Sequence, residues 1–257
     1  MAVEYAPRGL IGALTPQANT TVEPEFWILW PRGYSMINAR MTSPASTLNA
    51  RLVDYFRNLG ESVKQFANAP VQAIAFACTG ASYLVGVAEE DATIARLGDA
   101  TGIPFVTAGT AVCDALTALG AERIGLVSPY PADFTETSVG YWRDRGFDVA
   151  AVSSATLDDS QFHPIYSIRA ETATETLEKL GEADLDAVVM LGTGMPTLPT
   201  IRQLPRAGGA PVLSCMLALG WRSVTAVDGR APDGDDLVRW IDHAHWHTRF
   251  DDLTAAS

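Results

Sequence analysis

Ile11-Gly12-Ala13-Leu14-Thr15-Pro16 is echoed in the second half of the chain by Ile124-Gly125-Leu126-Val127-Ser128-Pro129. Each is an apolar run that stops at a hydroxyl residue and a proline, the pattern of a buried strand meeting a loop. Working outward, Gly33-Tyr34-Ser35-Met36 returns as Gly146-Phe147-Asp148-Val149 at the same offset. Gln72-Ala73-Ile74-Ala75-Phe76-Ala77-Cys78-Thr79-Gly80 returns as Asp186-Ala187-Val188-Val189-Met190-Leu191-Gly192-Thr193-Gly194, with the register nearly kept. Gly102-Ile103-Pro104-Phe105-Val106-Thr107 returns as Gly209-Ala210-Pro211-Val212-Leu213-Ser214, across a shorter segment. Four landmarks in one order identify an internal duplication, and a duplication sets the architecture.

Helical patterns separate the landmarks. Leu52, Tyr55, Phe56, Leu59, Val63 and Phe66 recur at three- and four-residue steps, as do Val112, Leu116 and Leu119 before the stop at Gly120. Strand and helix alternate, so the fold class is α/β: two doubly wound parallel-sheet halves related by a pseudo-twofold. The expected divisions are residues 1–122, 123–230 and a helical C-terminal tail, 231–257. In open parallel sheets ligands sit beyond the carboxyl ends of the strands. Function is therefore sought in the loops "TPQANTT", "CTGAS", "SPYPAD" and "GTGMP", facing one another across one cleft.

The chain has 257 residues, 47% hydrophobic and 19% charged, enough to bury a substantial core. Lys and Arg total 18 against 30 Asp and Glu, a net charge of −12 with no basic cluster, which argues against a nucleic-acid partner. Cys78, Cys113 and Cys215 are widely spaced and form neither a disulfide framework nor a zinc pattern. The opening "MAVEYAPRGLIGAL" does not read as a secretory leader, and no stretch reaches the length needed to span a bilayer. The expectation is a soluble, cytoplasmic protein with no membrane partner; homo-oligomerisation is left open.

Cys78 stands where a buried strand gives way to Thr79-Gly80-Ala81-Ser82. A thiol at a helix start meets unpaired N–H groups, which favour the thiolate, so a nucleophile is expected; the plainer alternative is a small buried spacer. The duplicate loop carries Gly192 in its place. Cys113 shares an apolar face with Val112 and Leu116 and reads as core. Cys215 follows Ser214 at a strand end, where packing is the first reading and an approach to the cleft the second. Thr79 and Thr193 occupy matched positions, and Gln17, Asn19 and Tyr130 lie in matched loops. With Gly80 and Gly194, such hydroxyls, amides and backbone N–H groups can hold a carboxylate and stabilise added negative charge without Lys or Arg. Each alone is also ordinary turn chemistry. His243, His245 and His247 lie outside both repeats and read first as a solvated or packing tail, with metal binding second. His163 is a further residue at the border of the cleft.

"IGALTPQANTTVEPEF", "FACTGAS", "GIPFVTAGTAVCDALTALGAERIGLVSPYP" and "VVMLGTGMPTL" together resemble the aspartate/glutamate racemase superfamily, in the branch of maleate cis-trans isomerases and arylmalonate decarboxylases. The resemblance spans nearly all of residues 10–225. It implies two facing cysteines, one from each half, working without metal or organic cofactor on a small-molecule dicarboxylate. Cys78 matches the first cysteine and Gly192 the position of the second. Asn19 resembles the carboxylate-binding asparagine, and Thr79 and Tyr130 resemble residues that hold the substrate carboxylate. Loss of the second thiol, with Gly192 opening space there, argues against two-base racemisation, which needs an acceptor and a donor on opposite faces. Arylmalonate decarboxylases keep the second cysteine and have glycine at the first position, the mirror of this chain. The resemblance therefore implies maleate-type isomerisation first and malonate-type decarboxylation, with Cys78 as proton donor, second. A dicarboxylate-binding protein without catalysis and an amino-acid racemase stand behind both.

Overall fold

The computed structural model describes residues 3–156, 164–181 and 183–255. In the first half β1 (Gly9–Pro16) leads to α1 (Val22–Leu29), β2 (Tyr34–Met41), α2 (Leu48–Arg57) and α3 (Leu59–Val63). Then come β3 (Ala73–Phe76), α4 (Thr79–Val85), α5 (Val87–Thr101), β4 (Phe105–Thr107) and α6 (Ala108–Leu119). The second half runs β5 (Arg123–Ser128), α7 (Ala132–Asp144), β6 (Asp148–Ser154), α8 (Ala170–Glu178), β7 (Ala187–Met190) and α9 (Leu198–Gln203). It continues with β8 (Arg206–Ala207), β9 (Ala210–Ser214), α10 (Cys215–Val227), α11 (Gly234–Ile241) and α12 (His247–Thr254).

The strands form two sheets in the orders β2-β1-β3-β4 and β6-β5-β7-β9-β8, parallel except for the short β8 at the edge. All of β1, β3 and β7 is buried, as helices on both faces of a parallel sheet require. The duplication is preserved in strand register. Ile11 pairs with Ala73 and Gly12 with Ile74, while the repeat partners Ile124 and Gly125 pair with Ala187 and Val188.

The halves share a core. Helix α10 packs against α1 and α6 and reaches β3 of the first sheet. Gly220 makes the close approach possible: a Cβ there would meet Leu29 Cδ1 at 3.2 Å, and the Gly220 carbonyl accepts the Trp30 indole N–H at 3.2 Å. Nearby, Arg222 pairs with Asp114 on α6 at 2.6 Å. Among the described residues no helix is long and apolar enough to cross a membrane.

Candidate functional site

Chain order reverses direction at β1/β3 in one sheet and at β5/β7 in the other, and the loops beyond those strand ends meet in one pocket. Asn19, Cys78, Thr79, Gly80, Tyr130, Gly192, Thr193 and Gly194, all expected at the site, line it. Pro16, Leu48, Leu52, Ile165 and Tyr166 complete the wall. None of these lining residues carries a cationic side chain. An anion there meets hydroxyls, amides and main-chain N–H groups.

The loop after β1 is built as a bracket onto the second half. Asn19 is 2% exposed; its Oδ1 accepts the N–H groups of Thr21 at 2.8 Å and Val22 at 3.1 Å, an Asx-type turn into α1. Its Nδ2 donates to the Thr193 carbonyl at 3.1 Å. The Thr21 hydroxyl donates to the Gly194 carbonyl at 2.7 Å. Glu25, fully buried on α1, accepts the N–H of Thr197 at 2.8 Å and of Leu198 at 3.3 Å. Burial raises its pKa to about 7, against the lowering effect of those N–H groups. In return, the Thr193 hydroxyl donates to the Ala77 carbonyl at 2.8 Å, directly before Cys78. Asn19 is thus committed largely to joining the two loops, beyond the carboxylate-holding role the sequence suggests.

Cys78 stands two residues beyond β3, at the N-cap of α4. Its sulfur accepts the Ala81 N–H, which favours the thiolate, yet burial dominates and pushes the thiol up to about 12. The lowering expected from the helix start is present but outweighed: one N–H does not offset removal of the sulfur from water. Thr79 Oγ1 and the Tyr130 hydroxyl lie 3.4 Å apart, and Tyr130 is held edge-on by Phe134, with ring centroids at 4.7 Å.

Gly192 lines the pocket, as expected, but a side chain there would be strained and tight. Its φ is +81°, and a Cβ would stand 3.0 Å from Pro129 Cγ and 3.1 Å from the Tyr130 hydroxyl. Tyr130 and Pro129, delivered by the loop after β5, already occupy that side. Gly194 has a different reason: a Cβ would meet the Tyr166 ring at 2.4 Å, so glycine lets Tyr166 lie against the loop.

Gln17 departs from expectation. It is exposed, and its Oε1 accepts the Ser43 N–H at 2.8 Å, tying the β1 loop to the segment after β2 and away from the pocket. His243, His245 and His247 fall in the turn before α12 and at its start, and none lines the pocket. Cys113 is half-buried on α6. His163 lies outside the described residues. The segment after it, Pro164–Ser167, supplies Ile165 and Tyr166 to the wall, and Leu48 and Leu52 come from α2. Sequence reading missed these, apart from Leu52, which it placed on the apolar face of a helix. Apolar side chains on a helix or short turn carry no mark that separates pocket wall from core.

Cys215, at the first position of α10, is fully buried. Its sulfur lies beside the Gly192 N–H and near the Thr79 and Tyr83 hydroxyls, while burial pushes the thiol up to about 12.

This arrangement has counterparts. "Maleate isomerase" of Pseudomonas putida is 26% identical over 232 residues, covering 85% of this chain and 91% of that protein. "Arylmalonate decarboxylase" of Bordetella bronchiseptica is 27% identical over 168 residues, 65% of this chain and 69% of that protein. A solved structure of Nocardia farcinica maleate cis-trans isomerase, in which one cysteine is replaced by serine and a succinylcysteine intermediate is covalently bound, superposes with a TM-score of 0.76. It is 26% identical, over 86% of this chain and 93% of that one. The arylmalonate decarboxylase family matches residues 11–236, both sheets and every loop of the pocket, and the chain belongs to that family.

Proposed function

We propose that this chain is a cytoplasmic, cofactor-independent enzyme that isomerises a small cis-enedioate of the maleate type, with Cys78 as nucleophile. The observation that carries this reading is the position of Cys78: a thiol at a strand end, facing a pocket whose polar groups suit carboxylates. The succinylcysteine held by a relative of the same fold supports it.

A buried thiol with a raised pKa does not attack as a preformed thiolate. Its proton passes to a substrate carboxylate as sulfur bonds to one alkene carbon, and the π pair moves into the adjoining carboxyl as an enediolate-type anion. Thr79 and Tyr130 hydroxyls and main-chain N–H groups stabilise that charge. The central carbon–carbon bond is now single and rotates. When a pair is restored to the carbon–carbon bond, sulfur leaves and recovers its proton, and the trans isomer remains. Nothing is oxidised or reduced.

Proton NMR of the protein with maleate tests this. The trans isomer is expected with the wild-type chain and no turnover with Cys78→Ser; full activity in that variant overturns the reading. A second reading rests on the apolar wall of Leu48, Leu52, Ile165 and Tyr166, which suits a malonate with an apolar side group. Decarboxylation, with Cys78 protonating the resulting enediolate, then appears in the same spectra as carbon dioxide loss from substituted malonates.

A further inference from the structure

Holding an enediolate-type anion is one task and protonating its carbon is another, for which the second half offers no acid at residue 192. Beside that glycine, however, lies a sulfur. Cys215 directly follows β9, whose Ser214 pairs with Met190 of the neighbouring β7, and its Sγ lies beside the Gly192 N–H. Ser214, at the N-cap of α10, accepts the Leu217 N–H at 3.1 Å and fixes the turn that aims Cys215 this way. Thr79 stands between this sulfur and the pocket: its hydroxyl is near Cys215 on one side and 3.4 Å from the Tyr130 hydroxyl on the other.

Tyr83 marks the place independently. The residue is 4% exposed and its hydroxyl is wholly buried, near Thr79 and Cys215, yet it makes no hydrogen bond of good geometry. Leaving a buried hydroxyl unpartnered is costly, and such exceptions call for a functional account. A proton or negative charge that visits Cys215 during turnover would provide its partner.

We infer that Cys215 is the second thiol of this site, a positioning residue that exchanges a proton with the substrate carbon through the Thr79 hydroxyl. This rests on the thiol-addition reading above. In the forward step the Cys215 S–H bond breaks and Thr79 takes that proton while giving its own to the anionic carbon, so a C–H bond forms. The electron pair left on Cys215 is held by the Gly192 N–H, with Tyr83 turning to donate. After rotation, Thr79 takes a proton from the same carbon and returns one to Cys215. The C–H pair becomes the alkene π bond, and the Cys78 sulfur leaves. No outside acid, base or oxidant enters.

Maleate in deuterium oxide provides the test. The methylene formed on the adduct lets either hydrogen leave, so wild-type product acquires vinylic deuterium. With Cys215→Ser, kcat is expected to fall at least about tenfold with KM within about twofold, and deuterium in the product to drop to background. Wild-type product free of deuterium overturns the inference without reference to any variant's folding. So does a Cys215→Ser protein whose rate and deuterium content match wild type. Turnover by Cys78→Ser is the separate result that would remove the underlying reading.

Discussion

The loop after β3 and the loop after β7 descend from one repeated sequence and end as different structures. In the first, Cys78 has φ −153° and the chain enters α4 at the next residue. In the second, Gly192 takes φ +81° and the chain runs through Thr193, Gly194 and Met195 before α9 begins at Leu198. Around the first, Ala81 N–H meets the thiol; behind the second, Tyr130 and Pro129 fill the space a β-carbon would enter. Duplication therefore fixes where a site can be, while the flanking loops decide what each copy can hold. The second loop is also the one held from outside, by Asn19, Thr21 and Glu25.

Making the first loop like the second is the harshest way to break this contrast. Cys78→Gly is expected to lower turnover by about three orders of magnitude or more, read as initial rates with maleate, because no other thiol lines the pocket.

Glu25 comes next. Its folded-state pKa is raised, from 4.5 to about 7, so the native state binds the extra proton between those values. Stability from this residue is fully present below about pH 4.5 and is lost as pH rises through about 7. At 1.36 kcal/mol per pKa unit the span is on the order of 3 kcal/mol. Glu25→Gln should flatten this part of the profile, seen as urea midpoints of variant and wild type that draw apart as pH rises from 5 to about 8. Parallel profiles would show that the second loop is not held through an ionising carboxyl.

The reverse graft is milder. Gly192→Cys is expected to cost about 1–3 kcal/mol, from a positive φ and a crowded Cβ. It should also displace Tyr130 from Thr79 and raise KM. Denaturation and steady-state kinetics on the same sample check both. Asn19→Ala removes an acceptor of two N–H groups and the donor to Thr193, and should cost about 1–2 kcal/mol in chemical denaturation. Smallest of all, Gln17→Ala should leave KM within about twofold, since its amide faces Ser43.

Much of this was legible before any coordinates. The landmarks beginning at Ile11, Gln72, Ile124 and Asp186 placed the central strands of both sheets, because period and composition report burial locally. Cys78, Thr79, Tyr130 and Thr193 were legible as pocket residues because strand ends in parallel sheets converge there. Gln17 misled for the same reason: loop membership was readable, side-chain direction was not. Tyr166 and Leu48 had no sequence mark, since an apolar wall residue looks like any core residue. Cys215 was legible as a strand-end thiol, but its neighbour Gly192 was not.

By itself, then, the sequence determined two α/β halves, their alternating strands and helices, and a thiol at the end of one central strand. Those features follow from local hydrophobic period and from a repeat visible along the chain. Only the tertiary structure decided that Cys78 rests as a thiol, that Tyr130 stands beside Gly192, that Asn19 joins the halves and that Cys215 reaches the back of the second loop. Each depends on groups brought together from distant parts of the chain, where desolvation and packing between loops outweigh any local preference.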